Sequence, residues 1–235
     1  MTSRPRIHRR RSIRLDGYDY SQEGLYFVTL CTRDRAALFG RITGGRMELN
    51  RAGEIAAASW VWLSRRYTRI ELDEYVVMPN HLHGIVVIAR EIESAPVKSH
   101  NVVVSQGANK KGASRRAPTG RPTNSWLDDD AASERMPRHM CSALKPLGGI
   151  IGAFKTVSSR KINEFSGNRE IKIWQRNYFE HVIRDEKSLE RIREYIVCNP
   201  AKWQSDKENP SRSGIDDFEV WLASFKGWPV NKAKQ

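Results

Sequence analysis

No Cys-x-x-Cys pair occurs in this 235-residue chain, and its three cysteines, Cys31, Cys141 and Cys198, stand far apart. That spacing excludes a disulfide framework and a zinc ribbon, so a reducing cytoplasm is the compartment expected. No apolar run approaches the ~18 residues a membrane helix needs. The basic N-terminus lacks the hydrophobic stretch of a secretory signal. A nucleotide-binding loop is missing as well. Gly148, Gly149 and Gly152 precede Lys155-Thr156, but Phe154 rather than glycine stands before the lysine, and the spacing predicts a helix there. Negative charge is also scarce: 27 Asp+Glu face 40 Lys+Arg, a formal charge of +13 and a pI near 9.9. An excess of that size favours a polyanionic partner, nucleic acid first among them.

Read along the chain, residues 1–16 form a basic arm carrying Arg4, Arg6, Arg9, Arg10, Arg11 and Arg14. Such an arm is a solvated tail or a grip on phosphates. Tyr26 to Thr32 reads as a central strand, and Met47 to Leu49 as a short strand after the Gly44-Gly45 turn, pairing near it. Asn50 caps a helix reaching Arg66, with Ala52, Ile55, Ala56, Trp60, Leu63 and Tyr67 as its buried stripe. Residues 91–145 are rich in Ser, Pro, Gly, Asn, Arg and Lys without periodicity, and are expected to be a disordered insertion. Leu147 to about Phe165 reads as an amphipathic helix, Glu170 to Trp174 as a strand, and the stretch capped by Asp185 or Ser188 as a helix ended by Pro200. Residues 201–235 read as an extension that packs on or lengthens the core. The element order suggests an α+β sandwich, helices covering one or both faces of a mainly antiparallel sheet.

Two β-rich runs flank Pro79-Asn80, the signature of a strand–turn–strand. His81 and His83 open the second run. Strand alternation puts both imidazoles on one face and turns Leu82 toward the core. Two imidazoles so placed are a ready pair of metal ligands, or simply two surface histidines. Tyr195 and Asn199 lie four apart at the end of the last core helix and share a face. Taken singly, the first reads as a core aromatic and the second as a stop residue before Pro200.

Together these residues resemble the single-tyrosine HUH transposases, and within them the REP-associated tyrosine transposases. The stretches that carry the resemblance are Leu15 to Tyr20, Tyr26 to Thr29, Val76 to Gly84 (VVMPNHLHG), Trp174 to Arg184 (WQRNYFEHVIR) and Tyr195 to Pro200 (YIVCNP). They span most of the chain outside residues 91–145, where this sequence is longer than the family core requires. The resemblance implies a catalytic core made of residues 17–90 and 146–200, with an antiparallel sheet and ferredoxin-like helix packing. It implies that Tyr195 attacks a phosphodiester in single-stranded DNA and that His81 and His83 hold a divalent ion. Asn199 matches the polar third ligand. Mg²⁺ is the ion expected, with Mn²⁺ able to substitute.

The phenol chemistry agrees. With a pKa of ~10, a tyrosine needs help to attack at neutral pH, and a cation on the scissile phosphate supplies it. Exchanging one phosphodiester for another conserves bond energy, so no ATP site is required. Arg9, Arg10, Arg11, Lys155, Trp174, Arg176, Tyr178 and Arg184 are the candidate DNA contacts, by charge or by base stacking; packing is the rival role for the aromatics. His181 reads as structural or as a phosphate contact. Two functions follow: a metal-dependent transposase acting on single-stranded or hairpin DNA, or a non-catalytic nucleic-acid-binding regulator on the same scaffold. Either is expected in the cytoplasm, at the nucleoid, as a monomer or homodimer.

Overall fold

The computed structural model describes residues 18–89, 145–168 and 170–225. The N-terminal arm with Arg9, Arg10 and Arg11, and the insertion apart from its last residue, lie outside them. The described residues form six strands and four α-helices: β1 (Gly24–Cys31), β2 (Gly40–Thr43), β3 (Arg46–Leu49), α1 (Arg51–Arg66), β4 (Ile70–Val77), β5 (His81–Ile88), α2 (Leu147–Ser166), β6 (Phe179–Ile183), α3 (Glu186–Cys198) and α4 (Asp217–Ala223). The main sheet is antiparallel in the order β4-β5-β1-β6. With α1 and α2 as crossovers, β1-α1-β4-β5-α2-β6 is the βαββαβ arrangement of ferredoxin-like folds. The chain is thus an α+β protein with a four-stranded antiparallel sheet.

The two faces of the sheet are covered by different helices, and strand periodicity decides which side chain goes where. Tyr26, Val28, Leu30, Leu82, Val86 and Ile88 point to the side of α1 and α2 and pack with Trp60, Leu63, Ile150 and Phe154. Phe27 and Ile85 point the other way, to Ile192, Tyr195 and Ile196 of α3 and Phe218 and Leu222 of α4. His81 and His83 share that second face, while Leu82 between them is fully buried in the first. The register sets Thr29 opposite His83 and Cys31 opposite His81.

Local signals fix the helices that frame the site. Asn50 accepts from Gly53 N at 3.0 Å and caps α1; Asp185 accepts from Ser188 N at 2.8 Å and caps α3. Gly84 in β5 lets Trp60 of α1 lie against the sheet. A Cβ there would meet Trp60 Cζ2 at 2.6 Å and Tyr75 Cβ at 3.2 Å. Trp60 is fully buried and has no room to withdraw. Gly84→Ala is therefore expected to cost about 1–3 kcal/mol by overpacking, read as a lower urea midpoint with the slope unchanged.

Two sequence-based expectations are corrected. Glu170 to Trp174 is not a strand: it contributes one bridge, Thr32 to Trp174, and the sheet's fourth strand is β6, from Phe179. Ile173 and Trp174 are apolar because they fill the core beneath β1, not because they continue a ladder. Met47 to Leu49 does form a strand, but it pairs with β2 around Gly44-Gly45 as a separate ribbon. Both glycines adopt positive φ, 57° and 73°, as a tight hairpin turn demands.

Candidate active site

The site lies between β5, α3 and the turn-rich segment after α3. His81 and His83 are 0% and 1% exposed, and their ring centroids are 4.3 Å apart. The surface-histidine reading therefore does not hold. Tyr195 comes down on them from α3. Its Oη stands 3.2 Å from His83 Nε2 and donates to Asp206 Oδ2 at 3.1 Å. Its ring stacks on Phe218 at 3.6 Å and meets Phe27 edge-on at 6.2 Å. Tyr195 and His83 line a cleft with Lys207, Asp216 and Phe218.

Asp206 joins these side chains together. Its Oδ2 accepts from Tyr195 Oη and, at 2.6 Å, from Asn199 Nδ2, and lies 3.8 Å from His83 Nε2. Its Oδ1 accepts from Glu208 N at 2.6 Å. One ligand atom each from His81, His83 and Asp206 fall within 4.8 Å of one another. Two imidazole nitrogens and a carboxylate oxygen are a donor set suited to a divalent transition ion or Mg²⁺, so this cluster could bind a metal. Two buried polar atoms strengthen the fit, because His81 Nε2 and Asn199 Oδ1 have no hydrogen-bond partner. Such orphans are costly unless something completes them.

Electrostatics holds the groups in the states that ligation needs. Burial keeps His81 neutral, well below the usual imidazole range, and His83 beside it adds to this. Burial pushes the Asp206 carboxyl up, but the nearby His83 imidazole, 3.8 Å away, and the Asn199 amide outweigh it and hold the group well below the carboxylate range. For Tyr195, burial and then Asp206 and Asp216 raise the phenol well above its ordinary value. As it stands the hydroxyl is a firm donor, not a nucleophile. Thr29 Oγ1 sits 2.8 Å from His83 Nδ1; as a hydroxyl it donates or accepts and so serves either tautomer of that ring.

Asn199 follows Tyr195 in helical geometry, with φ −56° and ψ −42°, although it precedes a proline. The bias against that conformation is overcome by the chain turning on through Lys202, whose N–H donates to the Cys198 and Asn199 carbonyls. Asn199 is fully buried and gives its amide nitrogen to Asp206, which sequence reasoning passed over. Asp206 lies in a short polar stretch, Gln204 to Asn209, with no periodicity or motif to mark it. Trp203, just before that stretch, stacks on His81 at 5.9 Å.

The candidate DNA contacts divide. Trp174 is buried between Phe39 and Phe154 and donates to Ser158 Oγ at 2.9 Å, so its ring has no free face for a base. Lys155 Nζ donates to the carbonyls of Gln175 at 2.8 Å and Asn177 at 3.0 Å, clamping the segment that leads into β6; burial lowers its pKa to about 8. Arg176 and Arg184 are exposed and Tyr178 half-buried. His181 packs against Phe225 at 5.1 Å, and burial lowers its pKa to about 4.

No family model matches the chain. Among solved structures, a REP-associated tyrosine transposase bound to a REP hairpin aligns over 94% of this chain and 92% of its own, with TM-score 0.41 and 18% identity. A candidate transposase from Deinococcus radiodurans R1 aligns over 78% of this chain and 95% of its own, with TM-score 0.31 and 14% identity. An uncharacterized protein of Haemophilus influenzae strain Rd is 34% identical over 207 residues, 86% of this chain and 93% of that protein. Identity of that extent over nearly the whole of both sequences is homology, and the chain belongs to the same family as the Haemophilus influenzae protein.

Proposed function

We propose that the protein is a metal-dependent transposase of the single-tyrosine HUH type, nicking and rejoining single-stranded DNA at hairpins of the REP kind. One observation carries the reading: the Tyr195 hydroxyl is within hydrogen-bond reach of both His83 and Asp206, two members of a cluster with the donor set of a metal site. The resemblance of the VVMPNHLHG and YIVCNP stretches supports it independently. A divalent ion, Mg²⁺ with Mn²⁺ as substitute, held by His81, His83 and Asp206 with Asn199 Oδ1 as a further ligand, would neutralise the scissile phosphate and polarise its P–O bond.

In the reaction Tyr195 Oη attacks phosphorus, an O–P bond forms, and the bond to the 3′ oxygen breaks. One DNA end becomes a 5′-phosphotyrosine and the other a free 3′-OH, which takes up a proton. The hydrogen bond to Asp206 Oδ2 orients the hydroxyl in the resting site, and the phenol proton leaves to water as the O–P bond forms. Attack by another 3′-OH reverses the step and joins the strands, with the number of phosphodiester bonds unchanged. Exposed Arg176 and Arg184, half-buried Tyr178 and the arm residues Arg9, Arg10 and Arg11 would track the backbone and stack on bases.

The test is incubation with a 3′-labelled single-stranded hairpin from the flanking DNA, with Mg²⁺ and with chelator. Cleavage that depends on the ion supports the reading. The non-catalytic alternative, favoured by the near-complete burial of Tyr195 beneath Phe218, calls for binding without cleavage under both conditions. Binding itself should be strongly salt-dependent, given the +13 charge. If roughly six to ten phosphates are neutralised, affinity falls ~10³–10⁵-fold between 50 and 200 mM salt. A flat response in a filter-binding titration would contradict the phosphate contacts.

A further inference from the structure

Asn80, in the turn between β4 and β5, is 1% exposed and has no part in the chemistry above. Its Nδ2 donates to two backbone carbonyls, Glu208 O at 2.7 Å and Arg35 O at 3.2 Å. Carbonyl oxygens only accept, so the amide orientation is fixed: nitrogen toward them, Oδ1 away. That Oδ1 lies 2.8 Å from His81 Nδ1. An amide oxygen also only accepts, so Nδ1 must carry the ring hydrogen. The lone pair is then on Nε2, the buried atom without a partner. The asparagine is held in turn by its own carbonyl, which accepts from Thr32 N at 2.8 Å and Thr32 Oγ1 at 3.0 Å.

The second grip matters as much. Glu208 N donates to Asp206 Oδ1, so the loop that Asn80 holds is the one that presents Asp206. His83 is served differently, by a threonine hydroxyl that accommodates either tautomer. We propose that Asn80 is a positioning residue that locks His81 in the Nδ1–H tautomer and ties the Asp206 loop to the histidine strand, so that the ligand set is assembled before any ion arrives. This rests on the metal-site reading above.

Two measurements on the full-length protein test it. Long-range ¹⁵N–¹H spectra of the metal-free wild type should show His81 protonated at Nδ1. Mn²⁺ titration followed by electron paramagnetic resonance should then show binding about 10–100-fold weaker in Asn80→Ala, the usual effect of losing a partner behind a histidine ligand. Asn80→Asp keeps an acceptor facing Nδ1 and should retain the Nδ1–H signal, which Asn80→Ala should lose. A wild-type His81 protonated at Nε2 overturns the proposal whether or not the variants fold. Unchanged Mn²⁺ affinity in Asn80→Ala overturns it while leaving the metal site standing. A wild type with the Nδ1–H tautomer that binds no Mn²⁺ would sink the metal reading, and this proposal with it.

Discussion

Asp206→Asn is expected to lower metal affinity and metal-dependent cleavage by more than the roughly 10–100-fold typical of a residue that merely supports a ligand. The substitution keeps shape and removes the charge, so the site loses its anionic donor; the one amide oxygen still accepts either from Tyr195 and Asn199 or from Glu208 N, not from both sides. Alanine would be a poorer test. It would strand Tyr195 Oη, Asn199 Nδ2 and Glu208 N, each buried donor costing about 1–3 kcal/mol. The acid limb of stability supplies a second readout. Asp206 is held ionised far below its ordinary range in the folded chain, whereas in the unfolded chain it takes up its proton near pH ~4. Its contribution is therefore complete above about pH 4–5 and is lost progressively as pH falls further toward the folded value. The Asn variant should show a shallower acid loss in urea titrations between about pH 5 and 3. Full Mg²⁺-dependent cleavage by Asp206→Asn would remove Asp206 from the ligand set.

Tyr195→Phe is expected to abolish cleavage and leave the protein folded. The ring keeps its stack on Phe218 and its edge contact with Phe27, and Asp206 keeps the Asn199 and Glu208 donors. The loss is the hydroxyl's hydrogen bonds with Asp206 and His83, about 0.5–1.5 kcal/mol each, visible as a fall in denaturant midpoint. Mn²⁺ and hairpin binding should persist, because neither needs the phenol. Cleavage retained in the Phe variant would return Tyr195 to the role of a core aromatic. Paired removal of His81 and His83 is a less clean experiment. Standing at the start of a strand beside a turn, they would be expected to leave with little loss of core volume, but both are buried, so alanines there would open a cavity.

Where a signal was local, the sequence was sufficient. Asn50 followed by a regular apolar stripe marks α1 to its last residue, Arg66, and Pro79-Asn80 between β-rich runs marks the turn that carries the two histidines. What the chain does across space was less legible. Trp174 and Lys155 look like DNA contacts by residue type, yet one is packed against α2 and the other is occupied by three successive carbonyls. Residue type does not say which aromatic or lysine the fold will consume. Asp206 was invisible for the opposite reason. A carboxylate in a turn-rich polar segment is the commonest surface feature, and only the return of that segment over β5 makes it a partner of Tyr195. Asn80 belongs to the same class: in sequence a turn residue, in space the clip between three segments.

The identity of the attacking group decides the mechanism, and one measurement reads it directly. Wild-type protein incubated with Mg²⁺ and a hairpin labelled on the 3′ side of the cut should give a band retarded on a denaturing gel. Digestion and mass spectrometry should place the nucleotide on the peptide containing Tyr195, through a phosphotyrosine. The same modification on Tyr178, the half-buried tyrosine of the WQRNYF stretch, or strand cleavage with no covalent intermediate, would contradict it.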